Sequence, residues 1–465
     1  MIEYIFAKRI KESKGVTGKQ NLLLKKPLQI GLDEVDFTEF DGGFIVLDFG
    51  KEMNGGVRIL TYVSDNVKIR IRFGESLSEC YTEVGEKNAT NDHSLRDFTV
   101  NLQSYSDMTF GSTGFRFVRI DFEGYVALKS VVAVNHILRK KSIFSYNGKD
   151  KEISKIFSVA KRTIDLCASG DYLVDGIKRD RLVWIGDMHP EMLALTTLYG
   201  RMEIIERSLD FVKDQTPIPK WMNKIPSYSL WWIIIVCDYY KITGAKDFLD
   251  NQIEYLGNLI KFLDGFISKD GELKYPMYFC DWPTHDTNEE EAGVRAINII
   301  AIKKAVELYK VYKMDDSLLL DMLNRLNKKE ITAKKYKQIL GLKYFATKLT
   351  KEDKEILVRG GAKGISTFMS YYILKAVASF DKEKAISMMK EYYGSMLKKG
   401  ATTFFEDYDI EWAKNSNRID KLPKKGQKDI HGDFGRFCYQ GFRHSLCHGW
   451  SAGVIPFIKE KIEND

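Results

Sequence analysis

The apolar residues of this 465-residue chain change their spacing once, and the change separates a part patterned for sheet from a part patterned for helices. Before about residue 140 they alternate. Residues 44–48 read FIVLD, 67–73 read VKIRIRF and 115–122 read FRFVRIDF, with further runs at 58–63, 98–102 and 125–134. A period of two, interrupted by Gly and Asn/Asp clusters, predicts strands, and antiparallel pairing into a sandwich is the natural assembly. The polar stretch 77–97, with Glu79, Glu83 and Glu86, is expected as a long surface hairpin; bordering a ligand cleft is the alternative. After Asn147 the period becomes helical, at 153–166, 187–199, 208–212, 229–242, 253–263, 294–311, 318–326, 331–345, 365–378, 382–397 and 448–462. That is roughly ten to twelve helices with no comparable strands between them. The expected fold class is multidomain α and β: an antiparallel β-sandwich over 1–145, then helical hairpins over 146–465. Hairpins in this number can close into a toroid whose pocket is built from the connecting loops.

Composition excludes several functions. The net charge of +7 comes from 71 basic and 64 acidic residues. The excess is dispersed, densest at Lys328, Lys329, Lys334, Lys335 and Lys337, and no basic stripe carries interleaved aromatics, so nucleic acid is not an expected partner. None of the six cysteines forms a CxxC, and most sit among apolar residues, as reduced thiols of a cytoplasmic protein would. The N-terminus MIEYIFAKRIKES has no leader pattern, and the apolar run at 230–236 is too short for a bilayer, so no membrane association is expected. His444 and His448 are four apart with no third ligand, and no phosphate loop occurs. Neither a metal nor a cofactor is expected.

Three loops between the expected helices, 171–187, 275–286 and 404–412, concentrate carboxylates and aromatics. The first contains DGIKRDRLVWIGD, which sets Asp175, Asp180 and Asp187 beside Arg179, Arg181 and Trp184. Buried unpaired charge is costly and a solvated loop has no use for a Trp. A sugar pocket accounts for both, because carboxylates grip hydroxyls, an indole covers an apolar sugar face and one carboxyl carries the proton for bond cleavage. A charged surface turn anchored by Trp184 is the plainer reading. The second loop supplies Asp281, Trp282, His285 and Asp286; the third supplies Glu406 after Phe404 and Phe405, then Asp407, Asp409 and Glu411. An inverting glycosidase needs two carboxyl groups about 6.5–9.5 Å apart, one of them protonated. Asp180 and Glu406 can meet this. For Asp180 to keep its proton, Arg179 and Arg181 would have to pair with Asp175 or Asp187 instead.

The pattern DxxxRDRxxWxGD, ending in Trp184 and Asp187, resembles the signature of α-L-rhamnosidases of glycoside hydrolase family 78. GATTFFEDYD, from Gly400 to Asp409, is similar to that family's second catalytic segment, and SLCHGWSAG, from Ser445 to Gly453, to its late pocket segment. DFGKEMNGGVRI, from Asp48 to Ile59, and GFRFVRI, from Gly114 to Ile120, resemble the β-domain that precedes the catalytic barrel. The resemblance implies an inverting exo-hydrolase on an (α/α)6 barrel of the six-hairpin glycosidase type, removing terminal α-L-rhamnose. It implies Asp180 as general acid and Glu406 as general base, with Asp175, Arg179, Trp184, Asp187, Asp281, Trp282 and His448 binding the sugar. Asp180 departs from the family, where the acid is a glutamate one methylene longer. The chain ends after its last expected helix, without the family's common C-terminal β-domain, so a compact relative is expected.

Alternatives remain at this level. Glu191 is a second candidate acid near the same helix start, and Asp187 could cap that helix while touching sugar. A non-catalytic carbohydrate-binding protein on a hydrolase scaffold would also explain Asp180 in place of a glutamate. An interaction module of paired helices would put Asp180, Asp281 and Glu406 on separate faces. A homodimer is compatible with one sandwich beside one barrel, although no sequence feature specifies its surface.

Overall fold

The computed structural model describes residues 2–33 and 35–463. Among them, β1 (Ile2–Phe6), β2 (Arg9–Thr17), β3 (Thr38–Ser64), β4 (Val67–Gly74), β5 (Asp97–Leu102) and β6 (Ser106–His136) form one antiparallel sheet of order β2-β3-β6-β4-β5, with β1 also on β6. β3 and β6 absorb several of the expected strands because they bend instead of turning. The register breaks between Asp48 and Met53 and again at Gly55, which pairs with both Thr113 and Asn135 of β6. Gly55 has φ +147°, and a Cβ there would lie 2.1 Å from the Val134 carbonyl oxygen, so only glycine permits the approach. The expected sandwich is therefore one continuous sheet curled around Phe40, Phe49, Phe73 and Phe115.

The helices are α1 (Leu77–Tyr81), α2 (Lys151–Cys167), α3 (Met188–Tyr199), α4 (Glu203–Gln215), α5 (Pro226–Thr243), α6 (Lys246–Asp250), α7 (Ile253–Asp264), α8 (Glu290–Tyr312), α9 (Ser317–Leu326), α10 (Lys337–Ala346), α11 (Lys351–Val358), α12 (Ser370–Ala378), α13 (Lys382–Lys398) and α14 (Val454–Ile458). α3 is buried throughout and α5 over most of its length, as the absence of a polar face demands. α2 instead shows one buried face and starts where the Asp150 carboxylate accepts the Glu152 and Ile153 N–H groups. α3 packs on α5, α5 on α8, α8 on α10, α10 on α12, α12 on α13 and α13 on α2, while α2 also touches α3. No helix among the described residues is long and apolar enough to cross a membrane.

Three helix expectations change in ways that matter for the site. α10 starts at Lys337, not 331, because Glu289 holds the Lys334 and Lys335 N–H groups outside any helix. α12 starts at Ser370, not 365, since Ser366 and Thr367 spend their hydroxyls on the site loops. The segment expected as a helix over 448–462 breaks into a 3-10 turn at Gly449–Gly453, then α14, then a π turn at Lys459–Glu463. α11 was not expected, although its capping box of Thr350 and Asp353 is readable in the sequence.

The sheet sits directly on the loops of the helical half. Arg116 on β6 is bound through Nε to Asp48 and through Nη1 to the Gly400 carbonyl oxygen. The Glu52 N–H donates to Thr402 Oγ1, and the Leu77 N–H donates to the Ile419 carbonyl. The stretch 77–97 is a correction: it is no free surface hairpin. It folds as α1 and a loop whose Ser94 hydroxyl donates to the Lys178 carbonyl oxygen at 2.7 Å, so it borders the first carboxylate loop.

Candidate active site

Two backbone tethers bring the distant loops together. The Gly449 N–H donates to the Asp175 carbonyl at 2.7 Å, and the Glu406 N–H donates to the Ser445 carbonyl at 3.0 Å. Arg179 then ties the first loop to the third. Its Nη2 donates to Glu406 Oε1 at 2.5 Å, its Nη1 lies 2.9 Å from Asp180 Oδ2, and its Nε donates to the Arg443 carbonyl. One guanidinium therefore spans both carboxyl groups and keeps their nearest oxygens within about 8 Å, two hydrogen bonds plus the width of the fork. The pairing of the arginines with Asp175 or Asp187 that a proton-holding Asp180 would require is not what forms. Arg179 faces Asp180 itself, and Arg181 turns away to donate to Ser112.

Behind this bridge lies a buried polar cluster. His448 Nε2 is 3.7 Å from Asp175 Oδ2, 3.8 Å from Asp187 Oδ2 and 3.8 Å from Glu406 Oε1, and its ring lies against Trp450. Burial pushes Asp175 and Asp187 well above the usual carboxylate range; Asp187 and Asp180 add to it at Asp175, and Glu406 and Asp180 add to it at Asp187, where the Tyr228 hydroxyl pulls back. Burial, then the neighbouring Arg179, pushes His448 well below the ordinary histidine value. Three carboxyl groups would favour an imidazolium if they were ionised. Burial disfavours the charged forms of Asp175 and Asp187 as it does that of His448, so the three directions agree. Asp175 Oδ1 accepts the Leu182 N–H, and Asp187 Oδ1 accepts the Tyr228 hydroxyl at 3.2 Å. Asp187 precedes α3 but makes no side-chain cap, because its own backbone is already helical at φ −74°, ψ −28°. Its carboxyl group is left to the cluster.

The Glu406 carboxyl is raised by burial, while Arg179 and the Ser445 N–H, which donates to Oε2 at 3.0 Å, pull it back. Asp281 holds the Trp282 N–H with Oδ1 and the Ser366 hydroxyl with Oδ2, and burial pushes it up to about 7. The next residue, Thr367, donates to the Glu406 carbonyl, so 366–367 links the second loop to the third. An aromatic band connects the first and second loops. Trp184 meets Tyr228 edge-on, Tyr228 meets Phe279, Phe279 meets Trp282, and Trp282 lies against Phe437 and Tyr439. Beside it opens a cleft of about 240 Å³ lined by Ser366, Asp407, Trp412, Arg436, Phe437 and Tyr439 among others. All nine site residues read from the sequence thus belong to one region. That removes the interaction-module alternative, which required separate faces.

Several contributors were not legible. His93 touches Asp180, Glu75 accepts the Ser445 hydroxyl and the Leu446 N–H, and Tyr228 holds Asp187. None stands in a motif; each arrives from another part of the chain. Glu75, Glu79 and His431 offer ligand atoms within 4.8 Å of one another. Lys178 takes the cation's place there, with Nζ 2.8 Å from Glu79 and 3.4 Å from Glu75, and it also donates to the Phe442 and His444 carbonyls. Both His431 nitrogens are spent, on Ser76 and on the His444 carbonyl. The cluster reads as an anchor between sheet and loops.

Glu191 lies beneath the site. A Cβ on Gly449 would meet its Oε1 at 2.1 Å, and that oxygen is buried without a hydrogen-bond partner. Burial raises Glu191 well above the ordinary value, with Asp187 and Asp175 next in importance. The folded chain therefore keeps a proton that the unfolded chain has already lost, and stability falls as pH rises through that interval. Glu191→Gln should be nearly neutral near pH 4 and stabilising above it, by up to about 1.4 kcal/mol per pH unit until the folded value is reached. Urea melts at pH 5 and pH 8 check this; an equal effect at both would refute it. Turnover should survive the change, and its loss on alkyl glycosides would move the acid role to Glu191.

Comparisons place the fold. The structure superposes on a rhamnosidase from Klebsiella oxytoca solved with rhamnose bound, with TM-score 0.73 over 99% of this chain and 96% of that one, at 16% identity. It also superposes on the family GH78 rhamnosidase of Bacillus sp. GL1, with TM-score 0.70 over 96% of this chain and 48% of that one, at 18% identity. The fold, a sheet joined to many helices, is thus that of solved rhamnosidases. Residues 141–339 match the family model of the bacterial α-L-rhamnosidase six-hairpin glycosidase domain. An α-L-rhamnosidase of Alteromonas sp. (strain LOR) is 25% identical over 276 residues, covering 54% of this chain. The match spans only 29% of that relative's length.

Proposed function

We propose that the protein is an inverting exo-glycosidase that releases terminal α-L-rhamnose. The observation that carries this reading is the single Arg179 guanidinium held between Asp180 and Glu406. It sets two carboxyl groups from different loops at a separation compatible with a water between base and sugar. In this reading Glu406 takes the proton of the attacking water and Asp180 protonates the departing oxygen. Asp175, Asp187 and His448 grip hydroxyls, while the Trp184–Trp282 band covers the apolar sugar face. The aglycone extends into the adjoining cleft. The closed succession of helix neighbours supports an (α/α)6 toroid over 146–465, joined to the curled sheet of the amino-terminal part.

The test is release of L-rhamnose from an aryl α-L-rhamnoside, set beside other aryl glycosides, with the first-formed anomer followed by proton NMR. β-Rhamnose should appear first. Turnover of another sugar and none of rhamnose would reject the substrate, and α-rhamnose appearing first would reject inversion. A second reading, a non-catalytic sugar-binding protein, is favoured by the Arg179–Asp180 ion pair, which engages the carboxyl group that the first reading makes the acid. It predicts rhamnose binding with no hydrolysis of any glycoside.

A further inference from the structure

We propose that the cleft beside the sugar-gripping cluster seats a second sugar ring, so that rhamnose is released from another sugar, with Asp407 meeting the hydroxyls of that sugar and Phe437 covering its apolar face. The proposal rests on the rhamnosidase reading. Chain neighbours place the cleft. Asp407 follows Glu406 directly, and Ser366, whose hydroxyl is bound to Asp281, lines the same space. Phe437 and Tyr439 line it from either side of Cys438. Burial, then Glu406, raises the Cys438 thiol, with Arg179 opposing and Asp180 adding. The cleft therefore opens beside the two bridged carboxyl groups, where a leaving group is held.

Asp407 is fixed in place and left without a side-chain partner. Its N–H donates to His444 Nε2 at 2.9 Å, which holds the backbone. Its carboxyl accepts the Tyr408 N–H and, among the described residues, takes no hydrogen bond or ion pair from a side chain. Burial, then Asp281 and Glu406, pushes it up to about 7. Gln338 lines the same cleft and is 3% exposed. Its amide nitrogen donates to the Gly364 carbonyl at 2.9 Å, which fixes the sense of the amide and leaves Oε1 without a partner. Acceptors withdrawn from water without donors are costly. An occupant rich in hydroxyl groups supplies the donors that this part of the cleft lacks.

Phe437 is the second observation. Its backbone is left-handed at φ +58°, an outlier for a bulky residue. The chain doubles back tightly around it: Gly435 has φ +95°, and a Cβ there would lie 2.2 Å from the Tyr439 carbonyl oxygen. The ring leans on Trp282, with centroids 5.2 Å apart, yet stays 46% exposed. Strain kept at an exposed ring serves a ligand better than a core. Trp412, stacked on Phe434 at 11°, gives the cleft a second fixed ring. The volume of about 240 Å³ lies below the about 300–1,000 Å³ of pockets for drug-sized molecules, so one ring fills it. A flat aromatic group would use Phe437 and Trp412 but cover Asp407 without a donor. A pyranose has an apolar face for the rings and hydroxyls at its edge for the carboxyl group, so it satisfies both.

The test compares kcat/KM for α-L-rhamnosyl-D-glucose disaccharides of each linkage with that for methyl and benzyl α-L-rhamnosides. None of these releases an aryl oxygen, so their ratios report the cleft. At least one disaccharide should exceed methyl rhamnoside by about 10-fold or more. Asp407→Ala and Phe437→Asn should each lower that ratio by about 5-fold or more. Asn tolerates left-handed backbone, so the second variant removes the ring and keeps the turn. Circular dichroism and a melt show that each variant is folded. A ratio left unchanged by either folded variant would overturn the proposal, because equal loss on both substrates is the mark of a structural role. Benzyl rhamnoside preferred over every disaccharide would overturn it too and make the cleft a seat for aromatic groups. Turnover of methyl rhamnoside with no disaccharide preferred removes the proposal alone. No rhamnose from any rhamnoside, aryl ones included, removes the rhamnosidase reading and the proposal together.

Discussion

Glu406→Gln is expected to lower kcat by roughly 10²–10⁴ on every rhamnoside, whatever its leaving group, with KM little changed. Every substrate needs the water deprotonated, so no leaving group can compensate. The site adds a second cost. Glu406 accepts from Arg179 on one oxygen and from the Ser445 N–H on the other. A glutamine must turn its NH₂ group toward one of those donors, and a donor left facing a donor costs about 1–3 kcal/mol. The variant should therefore melt below the parent while remaining folded, which circular dichroism and a melt will show. Burial holds the Glu406 carboxyl above its usual value. The base acts only when ionised, so the acidic limb of kcat/KM should lie above the ~4.3 of a free glutamate. Retention of activity within tenfold of the parent would remove Glu406 from the base role.

Asp180→Asn should behave differently. Aryl rhamnosides with good leaving groups should lose little, and alkyl rhamnosides should lose roughly 10²–10⁴, because only poor leaving groups need the proton. A plot of log kcat against leaving-group acidity should steepen. The fold should survive, since the Asp180 side chain is 18% exposed and packs in no core. The same loss on every substrate would mean that Asp180 supports the Arg179–Glu406 bridge without donating a proton. That result is informative, because Arg179 contacts both carboxyl groups and removing one charge shifts the balance on the other.

What could be read in the sequence was what local pattern determines. The change of period after Asn147 separated sheet from helices, since alternation and a 3.6-residue stripe are properties of neighbouring residues. The three loops were legible because carboxylates and indoles are dense there without an aliphatic reason. Long-range partners were not. Nothing in 77–97 announces that His93 reaches Asp180 or that Glu75 supports Ser445, because each partner lies more than 80 residues away. The direction of Arg179 was also beyond sequence: the same RDR triplet is consistent with pairing to Asp175, and only the backbone turn at Asp180 and Arg181, φ +53° and +55°, decides it. Helix starts at 337 and 370 failed for a related reason, the hydroxyls and N–H groups there being claimed by other elements.

The seam between sheet and helices gives the molecule an unusual inheritance rule. Arg116 grips the strand turn at Asp48 and the carbonyl of Gly400 at the head of the glutamate loop, while Lys178 fastens the aspartate loop to Glu79 beneath the sheet. The sheet is thus one wall of the candidate site, and exchanging it for another fold would take away the anchors of two of its loops. Sequence drift in the strands and in the catalytic loops cannot be independent.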